Sequence, residues 1–432
     1  MCAKNVNKEG NSTKNSANGA LKGEMAYLPL AQKIFAIKDL PPSEKMDRII
    51  SDPEAEKIIK TFSPQEMYWL IKEVGENDSL EIIKLSTHEQ TIFSLDMECW
   101  KKDEFVTEKF YEWLGYLLEG GEKKIIELLT CLDMEFLTLC LLKTITVGGG
   151  IGEFATKEEV DFNWDHTFDN CYFISYRNAN YAPLLGRLID IIFRNNHPLY
   201  LALMESLRHE IASEMEELNY QLRSGRLGDL GFPAYEDAVS IYAYLDPSTY
   251  TRTEGVKHKL GADTNPAKFP IYVSGDSLLK EVLLKVGSEE LSAEFNNLVN
   301  NAIVAETTAA PDMEHFQTIL ERVHGYLNIA LEFLSGNNSD EACAIFETEP
   351  LKKLFQLGRS LILPLRKTAG KLLMEDNNFS YAANRALLGL KANHPKFYRG
   401  MDADMADGYR EFGSIDDIRK YEVFLNELKV LR

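Results

Sequence analysis

The chain has 432 residues, 45% hydrophobic and 26% charged. That composition suits about two to three globular domains with a core large enough to need no metal or disulfide. Its 67 acidic against 47 basic side chains leave a formal net charge of −20, so phosphate backbones and anionic membranes are repelled.

Residues 1–25 are rich in Asn, Ser, Lys and Gly and lack the apolar segment of a secretory signal, which predicts a disordered tail. Residues 26–147 carry helical periodicity with short polar breaks and read as a helical-repeat module. Ser63-Pro64-Gln65-Glu66 supplies a capping serine, a proline at the first helical position and a glutamate at the third, with Gly75 placed to end the helix. A short helix over 79–86 follows, and another starts near Thr87. Two SLDME-like segments, Ser94–Glu98 and Cys131–Glu135, are offset by 37 residues, while WLIKEVGENDSLEIIKL and WLGYLLEGGEKKIIELL align Trp69 with Trp113 at 43–44. The unequal offsets leave two readings open, stacked helical hairpins or chance similarity between amphipathic helices.

Residues 148–180 break the rhythm. Gly148-Gly149-Gly150-Ile151-Gly152 reads as a flexible loop, and Phe162, Trp164 and the aromatic run Tyr172–Tyr176 predict short strands. A helical body is expected over 181–432. In it Leu199, Leu203, Leu207, Ile211, Met215, Leu218 and Leu222 form an apolar series read as one continuous stripe. If that stripe faces a packed core, Ile211→Ala should cost roughly 2–5 kcal/mol; below about 0.5 kcal/mol it is exposed and awaits a partner. A loop over 246–270 is either functional or mobile at that length. Helices follow at about 276–286, 289–305, 312–334, 339–346, 350–375, 379–392 and 414–431. The fold expected is therefore mainly α: stacked helical hairpins forming a superhelical N-terminal module, then a larger helical body with a small β element.

No stretch approaches the about 18 uninterrupted apolar residues of a membrane span. The six cysteines are scattered without CxxC pairs, Cys99, Cys131 and Cys140 falling in apolar runs as small hydrophobes, which points to a reducing cytoplasm. Gly150-Ile151-Gly152-Glu153-Phe154-Ala155 mimics a dinucleotide fingerprint but lacks the preceding strand and βαβ setting. His209-Glu210-Ile211-Ala212-Ser213 lacks the second zinc histidine, and Asp402–Gly408 reaches Gly413 where a calcium loop needs a bidentate glutamate. No nucleophile motif is present, so no catalytic residue, metal or cofactor is assigned.

RSGRLGDLGFPAYEDAVSIYAYLDP, residues 223–247, is the most distinctive segment. Gly225 can end the stripe helix, Phe232-Pro233 can start the next with Glu236 and Asp237 in its first turn, and Asp246-Pro247 can stop it. Turn geometry does not require the arginines. Arg226 and Asp229 pair to pin the loop, or Arg223 and Arg226 receive a carboxylate or phosphate.

This segment resembles the central signature of an uncharacterised family of long bacterial proteins, classed as a domain of unknown function. SLDMECWKKDEF, YEWLGYLLEGGEKKIIELL, LKKLFQLGRSLILPLRKTA and GYREFGSIDD resemble other stretches of that family, so the likeness runs over roughly 40–425. Its members often continue past the equivalent of residue 432, which implies a missing C-terminal piece. Residues 63–147 also resemble the N-terminal helices of bacterial magnesium transporters and flagellar switch proteins, a likeness of fold that carries no function by itself. Two functions remain open. The first is a cytoplasmic interaction or regulatory scaffold whose partner is another protein. The second is an enzyme or a small-anion or metabolite binder, with a pocket gathering Arg223, Arg226 and Asp229, joined by Arg410 and Glu411.

Overall fold

The computed structural model of the chain describes residues 32–33, 36–37, 40–150, 163–252, 277–286, 288–307, 312–375, 379–402 and 406–430. The expected tail over 1–25, most of the 246–270 loop, Ile151-Gly152 and Phe162 lie outside the described residues. The fold is mainly α-helical with three small antiparallel sheets among those residues. They pack as two units that divide after Arg223.

The first unit contains α1 (Pro42–Ser51), α2 (Ala55–Ile59) and α3 (Pro64–Val74). The capping box expected at α3 is present. Ser63 Oγ accepts from the Glu66 N–H at 3.2 Å, Glu66 Oε2 accepts from the Ser63 N–H at 2.9 Å, and Gly75 closes the helix at a φ of 100°. Ser63→Ala removes one acceptor from the first turn and should lower stability by about 1 kcal/mol. Urea denaturation checks this, and an unchanged midpoint would mean water caps the helix equally well.

Next come α4 (Leu80–Leu85) and α5 (His88–Glu98), the latter opened by a second capping box of Thr87 and Gln90. A hairpin of β1 (Trp100–Lys101) and β2 (Glu104–Phe105) leads to α6 (Thr107–Glu119), α7 (Glu122–Leu129) and α8 (Met134–Thr144). The Trp69 and Trp113 segments thus fold alike, each a long helix, a turn at glycine and a shorter helix. The SLDME-like segments do not, since Ser94–Glu98 closes α5 while Cys131–Glu135 spans the turn into α8. Cys99 and Cys140 are buried as expected, but Cys131 in that turn is exposed.

β3 (Ile145–Gly149) pairs antiparallel with β5 (Tyr172–Tyr176), Val147 opposite Ile174, and β4 (His166–Thr167) takes the other edge of β5. Gly148 and Gly149 are therefore strand residues rather than the flexible loop expected. A Cβ at 148 would overlap the Trp164 ring, and Gly149, at a φ of 77°, lies against the Cys171 carbonyl. Close packing explains these glycines.

α9 (Ala182–Asn195) and α10 (His197–His209) pack into the same core, Leu185, Ile189, Tyr200 and Leu203 joining Ile125 and Leu141 at 1% exposure or less. Residues 182–223 thus belong with the N-terminal elements, where the sequence suggested a separate body from 181. The stripe is not one helix either. It breaks at extended Glu210, and α11 (Ala212–Asp229) starts afresh. Leu203, Leu207 and Met215 are buried, but Ile211 is 56%, Leu218 41% and Leu222 37% exposed. Four-residue steps overshoot a full turn by about 40° each, so a 4-4-4-4 series winds around a helix instead of holding one face.

The second unit begins at Ser224, within α11, and continues with α12 (Tyr235–Val239), α13 (Leu278–Val286), α14 (Glu289–Glu306), α15 (Met313–Ser335) and α16 (Ser339–Thr348). It closes with α17 (Leu351–Glu375), α18 (Tyr381–Lys391), the strand pair β6 (Phe397–Tyr398) and β7 (Tyr409–Arg410), and α19 (Ile415–Val430). From α13 onward the helices fall where the periodicity placed them. α12 differs, ending at Val239 instead of Asp246-Pro247. A single 3₁₀ turn, Ser240–Tyr242, follows it, and the Ser240 and Tyr242 carbonyls accept from Gln356 at 2.9 Å and Arg359 at 2.6 Å on α17. Asp246-Pro247 opens its own 3₁₀ turn. The core centres on α15 and α17, whose backbones meet where Gly358 lies on Tyr326.

Candidate functional site

The glycines of the 223–247 segment divide by position. Gly225 and Gly228 are interior to α11, and the residue that ends the helix is Gly231, at a φ of 83°. The Phe232 N–H donates to the Leu227 carbonyl at 2.9 Å and the Gly231 N–H to the Gly228 carbonyl at 2.9 Å, a Schellman ending sealed by buried Leu227 and Phe232. The expected stop at Gly225 is thus displaced by six residues, because only at 231 does an apolar residue follow that can fold back onto the helix.

Arg223 lies in the first unit, half-buried, with Nε donating to the Asp96 carbonyl at 2.6 Å and the guanidinium 5.6 Å over the Trp100 ring. It places a cation at the C-terminal turn of α5, where the helix dipole favours one. Arg226 and Asp229 lie in the second unit, three residues apart on α11, the arginine half-buried and the aspartate exposed. On the outer face of α11, Leu218 and Leu222 lie within an arc of about 40°, and exposed Ile211 immediately precedes the helix. Glu210, Glu214 and Glu217 are exposed beside them.

Arg410 and Glu411 are chain neighbours that serve two different networks. The Arg410 guanidinium reaches Asp402 at 2.9 and 3.0 Å and Asp417 at 2.8 and 2.7 Å, stacked 3.9 Å above the Phe397 ring. Glu411 turns inward and accepts from Arg322 Nε at 3.0 Å and Nη2 at 2.9 Å. Arg322, 3% exposed on α15, also binds Glu306 through Nη1, and Tyr242 donates its hydroxyl to the same glutamate. Burial pushes the Glu411 carboxyl up, opposed by the Arg322 charge.

Of this buried network only Glu411 stands out in the sequence, although a second signal is available. Arg322 stands among Phe316, Ile319, Val323 and Tyr326, on the face of α15 that periodicity assigns to the core. A charge there needs a partner from elsewhere in the chain. Around the network the buried Tyr326 Oη, Arg359 Nε and His394 Nδ1 have no hydrogen-bond partner among the described residues. The His394 ring lies 4.9 Å from Tyr242, and burial lowers its pKa to about 4, with Arg322, Arg359 and Arg366 adding to the effect and Glu306 opposing it.

The first unit also has an open depression of about 610 Å³ lined by Asp165, His166, Phe168, Tyr176, Arg187 and Asp190 among others. Asp190 is engaged by Arg194 at 2.9 Å, and Asp165 by the Tyr176 N–H at 2.9 Å. Among the described residues no three His, Cys, Asp or Glu side chains are placed to hold a metal ion, and no helix is long and apolar enough to cross a membrane.

Residues 22–432 match a family of unknown function, DUF6178, and the chain belongs to that family. No curated protein and no solved structure matches it.

Proposed function

We propose, with membership of a family that carries no assigned chemistry as the premise, that the protein is a cytoplasmic interaction scaffold whose α11 outer face docks a helix of a partner protein. The observation that carries this reading is the line of Ile211, Leu218 and Leu222, exposed by 56%, 41% and 37%. Exposed Glu210, Glu214 and Glu217 beside it define the partner's chemistry. It is an amphipathic helix with apolar residues one and two turns apart and lysines or arginines on its flanks. The buried free thiols of Cys99 and Cys140 suit a reducing compartment. The other reading, an enzyme or small-anion pocket around Arg223, Arg226 and Asp229 joined by Arg410 and Glu411, draws less support. Arg223 is engaged by Asp96, Arg410 by Asp402 and Asp417, and Glu411 by Arg322.

Two measurements test the proposal. Ile211→Ala should change unfolding free energy by less than about 0.5 kcal/mol, the usual range for a surface position. A loss of 2 kcal/mol or more would place Ile211 in a core. A synthetic helical peptide with a leucine stripe and lysine flanks should bind at least tenfold tighter than its glutamate-flanked counterpart, by fluorescence anisotropy. Leu218→Ser should erase the difference. Equal binding of the two peptides, or preference retained in the variant, would sink the docking assignment.

A further inference from the structure

The second unit holds a charge arrangement that the interaction reading does not use. Arg359 and Arg366 stand seven residues apart on α17, two turns along one face. Neither has a carboxylate partner among the described residues. Arg359 Nη1 donates to the Tyr242 carbonyl at 2.6 Å and its guanidinium lies 5.4 Å from the Tyr242 ring, while its Nε is buried and unbonded. Arg366 makes one long contact, Nε to the Lys391 carbonyl at 3.4 Å. His394 adds a buried, unbonded Nδ1 beside the same Tyr242 ring. Arg322, the nearest other cation in the network, is already matched by Glu306 and Glu411.

Three guanidiniums therefore accompany two carboxylates, and the surplus cations are the ones with open donors. Buried donors left unmade are costly, and unpaired buried cations more so. Arg359, Arg366 and His394 are each half-buried, so the surplus side of the cluster reaches solvent while Tyr326 and Arg322 close the inner side. A planar guanidinium with a free Nε offers the fork that matches a two-oxygen acceptor.

We infer that Arg359, Arg366 and His394 form a binding site for a small oxyanion, the carboxylate or phosphate group of a metabolite. The anion's oxygens accept from Arg359 Nη2, from the Arg366 Nη groups and from His394 Nε2–H, the donors left open once Nη1 of Arg359 and Nε of Arg366 are bonded to carbonyls, and its charge balances α17. The site lies in the second unit and shares no residue with the α11 docking face, so either assignment can fail while the other stands.

Thermal unfolding of the full chain in 10 mM sodium phosphate, in 10 mM succinate and in chloride of equal ionic strength tests the site. One of the two oxyanions should raise the melting temperature by about 3–6 °C over chloride, the shift expected for ligand at ten times its Kd. A larger response to phosphate identifies a phosphorylated ligand, and a larger response to succinate a carboxylic acid. Arg366→Gln should abolish the shift, whereas Arg419→Gln, the same charge change at an exposed position on α19, should keep it. His394→Asn removes no permanent charge and should weaken binding about tenfold, which keeps the test open if Arg366→Gln folds poorly. No response to either oxyanion, or an equal response in Arg366→Gln and His394→Asn, would overturn the site.

Discussion

Arg322→Met should destabilise the second unit by about 3–5 kcal/mol, the largest single-residue effect expected in this chain. The arginine is 3% exposed and joins Glu306 and Glu411, whose side chains are each 4% exposed. Methionine fills much of the space but leaves two carboxylates without their cation in a low-dielectric setting. Replacing Glu306 and Glu411 as well, by Leu and Met, should restore most of the loss, because a buried ionic cluster and a packed apolar one are often close in free energy. The loss should also depend on pH. Burial already pushes the Glu411 carboxyl up, and removing Arg322 removes what opposes that push. A folded-state pKa above the unfolded value means protonation favours the fold. The variant is then least destabilised below the ordinary carboxylate range and loses further stability as pH rises through the raised value. Urea titrations at about pH 4.5 and pH 7 read both effects, and a loss under 1 kcal/mol at pH 7 would show that water or another cation reaches the carboxylates.

Gly358→Ala carries the second largest effect, about 3 kcal/mol of lost stability. A Cβ at 358 would overlap the Tyr326 carbonyl oxygen and press on the Tyr326 backbone behind it, so α15 and α17 must part to admit one methyl group. Backbone cannot swing aside as a long side chain can. The same substitution at Gly225 should have the opposite sign. Gly225 is inside α11, and an added Cβ there meets nothing within 4 Å. Alanine's helix propensity then dominates and should stabilise by about 0.5–1 kcal/mol. Thermal melts of the two variants decide both points. A neutral Gly358→Ala would mean the helices separate freely, and a destabilising Gly225→Ala would mean that α11 stops where the sequence first suggested.

Features that depend on a few neighbouring residues were legible in the sequence. The capping box at Ser63, the helix start near Thr87, the helix end at Gly75 and the helices from Leu278 onward lie close to where caps and periodicity placed them. The acids Glu236 and Asp237 occupy the first turn of α12 as the dipole argument requires. Where two local signals compete, the tertiary contacts decide between them. Gly225 offered a glycine stop inside a stretch that α11 continues through, and the choice of Gly231 rests on Phe232 closing over Leu227. The stripe through Ile211 looked continuous because apolar spacing alone does not register a break at Glu210.

The sequence by itself determined the mainly helical class, the positions of most helix ends and the absence of any long apolar span, because these follow from interactions within about one helical turn. Only the tertiary structure decided which faces are buried and which charges are paired. Arg322 finds Glu411 across 89 residues and Arg223 finds Asp96 across 127. Arg410, the last residue of β7, and Glu411, its chain neighbour beyond the strand, face two different networks. The same holds for what stays unpaired. Arg359 Nε and His394 Nδ1 stay unbonded because the elements packed around them bring the Tyr242 carbonyl and ring, while the nearby Glu306 is taken up by Arg322 and the Tyr242 hydroxyl, a property of the assembled core rather than of any short stretch of sequence.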